Sequence, residues 1–222
     1  MPPDTHVVLI AGGHGALGQA VVPAFVQSGS RVVVVDRRPS EVRGGIGLGA
    51  DVTDEADIQR AVQDVQERAG PVYALVNLVG GFATGRVVET DTALWQRMLA
   101  MNLTSAFVLS KAVLPHMMER GAGRIIHVAA RAAVDPFPGA AAYIVAKAGL
   151  VSLIKTLAVE TAGTGITVNG LLPTTIDTPA NRTAMPDADT AKWVHPESIA
   201  RLLLFLVSPE ARQLNGALIP IG

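Results

Sequence analysis

What most constrains this chain is a set of short apolar runs without period-2 alternation: 6–11 (HVVLIA), 31–36 (RVVVVD), 72–79 (VYALVNLV), 124–130 (RIIHVAA), 165–172 (GITVNGLL) and 217–221 (ALIPI). Strands of that kind are covered on both faces. Between them lie helix-length stretches at 16–29, from a cap at Thr53 or Asp54 to about residue 69, from Asp91 through Met118 with Pro115 near its end, at about 139–162, and at 196–208. Strands separated by helices of this length join by right-handed crossovers. The pattern predicts an α/β fold: one doubly wound domain over residues 1–222, with a parallel sheet of about seven strands and helices on both faces. The least regular stretch, 173–196, is too long for a simple connection and reads as a substrate lid around 174–195, carrying Met185 and Trp193.

The 18 Lys and Arg against 19 Asp and Glu give a formal charge of −1, which removes the electrostatic case for nucleic acid or an acidic membrane as partner. A hydrophobic share of 49% beside 17% charged residues excludes intrinsic disorder. With no cysteine, disulfides, thiolate zinc sites and thiol catalysis are excluded. His6, His116, His127 and His195 share no metal-ligand spacing, so no metal is expected and each reads as structural. His14 reads as solvent-facing, and Asp187 and Asp189 as solvated. The first residues lack the basic, apolar and cleavage segments of a secretory signal. No stretch approaches the roughly 20 apolar residues that span a bilayer. The expected location is therefore cytoplasmic.

The turn after the first strand is Ala11-Gly12-Gly13-His14-Gly15-Ala16-Leu17-Gly18, and it opens a helix. Glycines let backbone N–H groups approach a pyrophosphate, and the helix N-terminus adds favourable partial charge. Asp36 ends the second strand, where a carboxylate accepts hydrogen bonds from adenosine ribose hydroxyls and repels a 2′-phosphate. NAD(H) is therefore favoured over NADP(H), although Arg37 and Arg38 follow at once and a guanidinium tolerates a phosphate.

These residues resemble the short-chain dehydrogenase/reductase family over nearly the whole chain, which implies a single Rossmann-type domain. Ala11 to Gly18 resembles the family's Thr-Gly-x-x-x-Gly-x-Gly turn, with Ala11 in place of Thr and Ala16 in place of the middle Gly. Asp51-Val52 resembles the adenine-contacting Asp-Val, and Asn77 and Gly80 match two positions of Asn-Asn-Ala-Gly. Asn102 lies where the family's active-site Asn sits, Tyr143-x-x-x-Lys147 matches the catalytic pair, and Val168-Asn169 with Pro173 matches a further stretch. The resemblance implies that Gly12, Gly15, Ala16, Leu17, Gly18, Asp36, Arg37, Asp51, Val52, Asn77, Gly80, Tyr143, Lys147, Pro173 and Ile176 hold the dinucleotide. It gives the catalysis to Tyr143, Lys147 and Asn102, the last kinking its helix and holding a water. One departure is large: the family's catalytic Ser, 13 residues before the Tyr, is here Ala130. A narrower resemblance, to the dihydropteridine reductase branch, rests on 12–18, on Val79-Gly80-Gly81-Phe82, and on Leu172-Pro173-Thr174-Thr175-Ile176-Asp177-Thr178-Pro179-Ala180-Asn181-Arg182 followed by Met185-Pro186-Asp187-Ala188-Asp189. That branch also lacks the Ser and uses NADH.

Tyr143 and Lys147 are four apart, so a helix puts them on one face. A nearby ammonium stabilises a phenolate, so the pair predicts a lowered Tyr143 pKa. A mid-helix Asn at 102 needs a reason, whether the one implied above or a capping role. Phe82 and Trp193 offer faces for a flat heterocycle, with ordinary packing the alternative for each. The expected function is hydride transfer from NADH to a small conjugated acceptor, dihydropteridine reductase-like. The alternatives are a short-chain carbonyl reductase of 3-oxoacyl type and a catalytically idle NAD(H)-binding protein. The resemblance also implies a homodimer or homotetramer. The apolar face of Val151, Leu153, Ile154 and Leu157 suits a partner, although a face buried within one chain gives the same pattern.

Overall fold

A computed structural model describes residues 6–38 and 41–222. Residues 1–5 of the stretch read for a signal lie outside the described residues. Apolar runs become the strands β1 (Val7–Ala11), β2 (Arg31–Asp36), β3 (Ile46–Gly49), β4 (Val72–Asn77), β5 (Gly123–Val128), β6 (Ile166–Pro173) and β7 (Leu218–Ile221). They form one sheet in the order β3-β2-β1-β4-β5-β6-β7, every pair parallel.

Alternate residues along each strand enter opposite layers, and both layers are apolar, which is why the runs show no alternation. Leu9, Val33, Leu75, Ile125 and Val168 join one core with α2 (Glu55–Ala69), α4 (Ser105–Arg120) and α5 (Ala141–Glu160). Val8, Ile10, Val32, Val34 and Ile126 join the other with α1 (Gly18–Gln27) and α7 (Pro196–Val207). β1 lies between β2 and β4, so the chain reverses its direction of travel there and leaves a crevice beyond the carboxyl ends of those strands. Ala11 pairs with both Val35 and Asn77. The glycine turn, Asp36 and the residues after Asn77 therefore share one edge.

Several sequence expectations are corrected. β3 was not among the apolar runs, because it is a four-residue edge strand, Ile-Gly-Leu-Gly, with two glycines. The run 72–79 stops pairing at Asn77, where Val79 N–H turns back to donate to Asn77 Oδ1 at 3.0 Å. The helix that Asp91 caps breaks into α3 (Thr92–Leu99), a π turn (Ala100–Thr104) and α4. The stretch 173–196 is ordered: it carries α6 (Pro179–Ala184), capped by Thr178, and a bridge between Ile176 and Val194. Two helical runs, Thr92–Arg120 and Ala141–Glu160, are long and apolar enough to cross a bilayer by length and composition, contrary to the sequence reading. Both pack on the sheet: Leu109, Met117, Leu150 and Ile154 are core residues. Val151, Ile154 and Leu157 are likewise buried within the chain and offer nothing to a partner. The large apolar residues that α5 and α4 expose are Val145, Val159, Phe107 and Met118.

Candidate active site

The glycine turn is built by three glycines that packing demands and a fourth that it does not. Gly12 has φ +80°, and a Cβ there would lie 3.1 Å from Val79 N. A Cβ on Gly13 would meet the Val34 side chain at 2.7 Å, and one on Gly18 would lie 2.2 Å from Gly13 O. At Gly15 a Cβ would meet only Gly12 O, at 3.3 Å, within a 4 Å radius. The empty volume beside Gly15 belongs to a 560 Å³ cleft whose wall includes Gly12, Asp36, Arg37, Val52 and Gly80. α1 begins at the same turn with no side-chain cap and no acid in its first turn. Gln19 N and Ala20 N already donate to Gly15 O and Leu17 O, which leaves the amides of Ala16, Leu17 and Gly18 to meet an anion. The shape and donor set fit a dinucleotide.

Of the other residues assigned to the dinucleotide, Ala16, Leu17, Gly18, Asp51, Asn77, Tyr143, Lys147, Pro173 and Ile176 are not part of that wall. His14, Arg38, Ala50, Leu78, Val79 and Met101 join it without having been assigned to the dinucleotide. Asp51 instead shapes the turn into α2. Its Oδ1 accepts from Thr53 N at 2.9 Å and Thr53 Oγ1 at 2.7 Å, and these bonds hold its carboxyl below the usual range. Asp36 Oδ2 accepts from His14 N at 2.9 Å and lies 3.1 Å from His14 Nδ1. His14 is exposed, as expected, and is at the same time the partner of the acid. Its signal was hidden because the two residues are 22 apart and meet only through β1–β2 pairing.

The second half of the site gathers where the π turn, the loop after β4 and α5 converge. Asn102, buried in the π turn, donates through Nδ2 to Met98 O and Gly81 O at 3.0 Å each and accepts from Gly81 N at 3.1 Å. Taking both backbone groups of Gly81 is what a mid-helix Asn does here, within a π turn that interrupts the α-helix. A Cβ on Gly80 would lie 2.9 Å from Asn102 Oδ1 and 3.1 Å from Lys147 Nζ, so this loop sits directly on both side chains. Gly85 bonds to Gly139 and Ala141 and ties the far end of the loop to the start of α5.

Lys147 is buried, its Nζ donates to Val128 O at 2.8 Å, and burial pulls its pKa down to about 8. The Tyr143 ring meets the exposed Phe82 edge-on, with centroids 5.0 Å apart. Its pKa is pushed up to about 12 by burial, not lowered, because desolvation of the phenolate outweighs any field from Lys147. No described residue hydrogen-bonds the Tyr143 hydroxyl. In this state it is a neutral donor, suited to give a proton rather than to take one. The stretch after β5 places Ala129 and Ala130 where a second hydroxyl would be expected. Trp193 is buried and packs, which leaves Phe82 as the aromatic face at the site. In the stretch 173–196, Arg182 donates to both oxygens of Asp177 at 2.6 and 2.8 Å, holding that carboxyl below its usual range.

The model of the short chain dehydrogenase family matches residues 6–189. The chain belongs to the short-chain dehydrogenase/reductase family. It is an NAD(P)H-dependent oxidoreductase of that family. A relative, 2-(S)-hydroxypropyl-CoM dehydrogenase 3 of Xanthobacter autotrophicus, is 32% identical over 237 residues, covering 96% of this chain and 93% of its own. The 3-oxoacyl-[acyl-carrier-protein] reductase FabG of Thermotoga maritima is 30% identical, over 98% of this chain and 96% of its own. The crystal structure of gox2181 superposes with a TM-score of 0.92 at 26% identity, over 98% of this chain and 94% of that one. In this short-chain dehydrogenase/reductase the family's Tyr and Lys positions are filled and its Ser position is not.

Proposed function

We propose that the protein is an NADH-dependent reductase of a small conjugated acceptor, dihydropteridine reductase-like, with Tyr143 as proton donor. When bound, the nicotinamide supplies the hydride. The amides of Ala16, Leu17 and Gly18 would hold the pyrophosphate, while Gly12 and Gly15, whose own N–H groups donate to Val35 O and Gly12 O, would give it room by lacking a side chain. Asp36 would take the adenosine ribose, with Arg37 beside it, and Asp51 and Val52 the adenine side. Asn77, Gly80, Tyr143, Lys147, Pro173 and Ile176 would frame the nicotinamide half, and Asn102 would fix the loop above it.

The observation that carries the acceptor class is the Tyr143 hydroxyl, which no described residue hydrogen-bonds, in a chain that has Ala130 where the family has a Ser. A ketone concentrates developing charge on one oxygen and benefits from two donors. A conjugated, imine-like ring spreads that charge and needs the proton more than a second donor. The 172–182 string and Asp36 support the same branch. A second reading, reduction of a carbonyl or oxidation of the matching alcohol, is favoured by the activities named for the two relatives. Initial rates with NADH against quinonoid dihydropterin and against an acetoacetyl thioester separate them. Turnover of the pterin is expected; turnover of the thioester alone would establish the second reading, and NADH binding without either would mark an idle binder. We also read the protein as a homodimer or homotetramer, on the strength of the exposed Val145, Val159 and Phe107.

Asp36→Ala removes the ribose acceptor and the charge that opposes a 2′-phosphate, while Arg37 and Arg38 remain. Charged hydrogen bonds of this kind are worth about 3 kcal/mol together, so the NADH-over-NADPH ratio of kcat/KM should fall about 100-fold. An unchanged ratio would overturn the assignment of Asp36.

A further inference from the structure

Beneath the cofactor cleft runs a buried chain of hydrogen bonds that no role above uses. Asn77 Oδ1 accepts from Val79 N at 3.0 Å. Asn77 Nδ2 lies 3.2 Å from His127 Nδ1, His127 Nε2 lies 3.0 Å from Ser110 Oγ, and Ser110 Oγ donates to Ala106 O at 2.7 Å. Asn77, His127 and Ser110 are each at most 1% exposed, so water cannot replace a lost partner.

The two ends fix every proton between them. A backbone N–H at Val79 requires the amide oxygen of Asn77, so the NH2 faces the imidazole. His127 Nδ1 must then present its lone pair and carry its proton on Nε2. The single Ser110 proton is committed to the Ala106 carbonyl, so Oγ accepts from that Nε2–H. One neutral tautomer satisfies all members; the other tautomer and the cation each set two donors against each other at Asn77. Burial, seconded by the charge of Lys147, pulls the His127 pKa down to about 3, in keeping with a ring that stays neutral.

We propose that His127 is a positioning residue: its Nε2–H tautomer locks the Asn77 amide, and through Val79 N–H sets the 78–81 loop against Lys147 and Asn102. The path is contiguous. Val79 and Gly80 line the cleft. The loop has no slack there, since a Cβ on Gly80 would already be within 3.1 Å of Lys147 Nζ. The next residue after His127, Val128, gives its carbonyl to that same Nζ. A flipped Asn77 would release Val79 and shift the loop where the cofactor and the catalytic side chains meet. The inference rests on the cofactor cleft and not on the identity of the acceptor.

Its test needs no acceptor. In protein labelled with 15N-histidine, the His127 ring, assigned by its loss in His127→Asn, should show one protonated and one unprotonated nitrogen, with the proton on Nε2, at neutral pH. A proton on Nδ1, or on both nitrogens, would overturn the proposal. NADH titration by fluorescence gives the functional arm. His127→Leu removes the acceptor for Asn77 and should raise the NADH Kd about tenfold, whereas His127→Asn keeps an oxygen where Nδ1 stands and should stay within about twofold of the parent. Both variants lose the planar ring, so equal weakening by the two would assign His127 to packing alone and sink the proposal. Should His127→Leu not fold, Ser110→Ala stands in: loss of the Nε2–H acceptor should let the tautomer signal become mixed, and an unaltered signal would contradict the chain.

Discussion

Tyr143→Phe should lower turnover about 1,000-fold and leave the NADH Kd within about twofold. The substitution removes one oxygen that no described residue bonds and keeps the ring that meets Phe82 edge-on. Packing and the cofactor cleft are therefore spared, and only the proton is lost. A positioned general acid contributes about 100- to 10,000-fold, and Ala130, at the family's Ser position, has no hydroxyl to take over. The sign of the pH dependence follows from the same pair. In the reductive direction the phenol must arrive protonated, which a pKa of about 12 ensures. As it gives up its proton, the phenolate needs the ammonium of Lys147, which is charged below about pH 8 and an amine above it. Reductive kcat should hold level below about pH 8 and fall above it. In Lys147→Arg, where the cation persists, any remaining activity should show no such alkaline fall. A Tyr143→Phe enzyme with ordinary turnover would remove the proton-donor role altogether.

The parts of this site legible in the sequence are those written in local spacing. The glycine turn, the strand-terminal Asp36 and the four-residue step from Tyr143 to Lys147 each depend on one element and its end. The parts that were hidden depend on which strands become neighbours. His14 meets Asp36 across 22 residues and Asn77 meets His127 across 50, and both contacts exist only because β1 sits between β2 and β4, with β5 next. Burial is hidden for the same reason. Trp193 and the α5 face of Val151, Ile154 and Leu157 looked available as a stack and a partner surface, but packing brings them inward. The Tyr143 pKa went the opposite way because the sequence shows the charge of Lys147 and not the desolvation that opposes it. β3 was illegible for want of side chains, since two of its four residues are glycine.

Gly18, which closes the turn, and Gly15, within it, should fail in different ways when given a methyl group. In Gly18→Ala the new Cβ would lie 2.2, 2.4 and 2.6 Å from the O, C and Cα of Gly13. All three are backbone atoms, so no side-chain rotation relieves the clash and the turn itself must open. The expected cost is about 3 kcal/mol, or about 6–12 °C in Tm for a chain of this length, together with loss of NADH binding. In Gly15→Ala the methyl touches only Gly12 O at 3.3 Å, and Gly15 is not in the left-handed region. The fold should be kept, with Tm within about 2 °C of the parent, yet the methyl occupies the cradle assigned to the pyrophosphate and should weaken NADH at least about tenfold. Thermal melts beside NADH titrations read both. Undiminished NADH affinity in Gly15→Ala would place the phosphates elsewhere, and an unchanged Tm in Gly18→Ala would mean the turn is looser than its backbone contacts require.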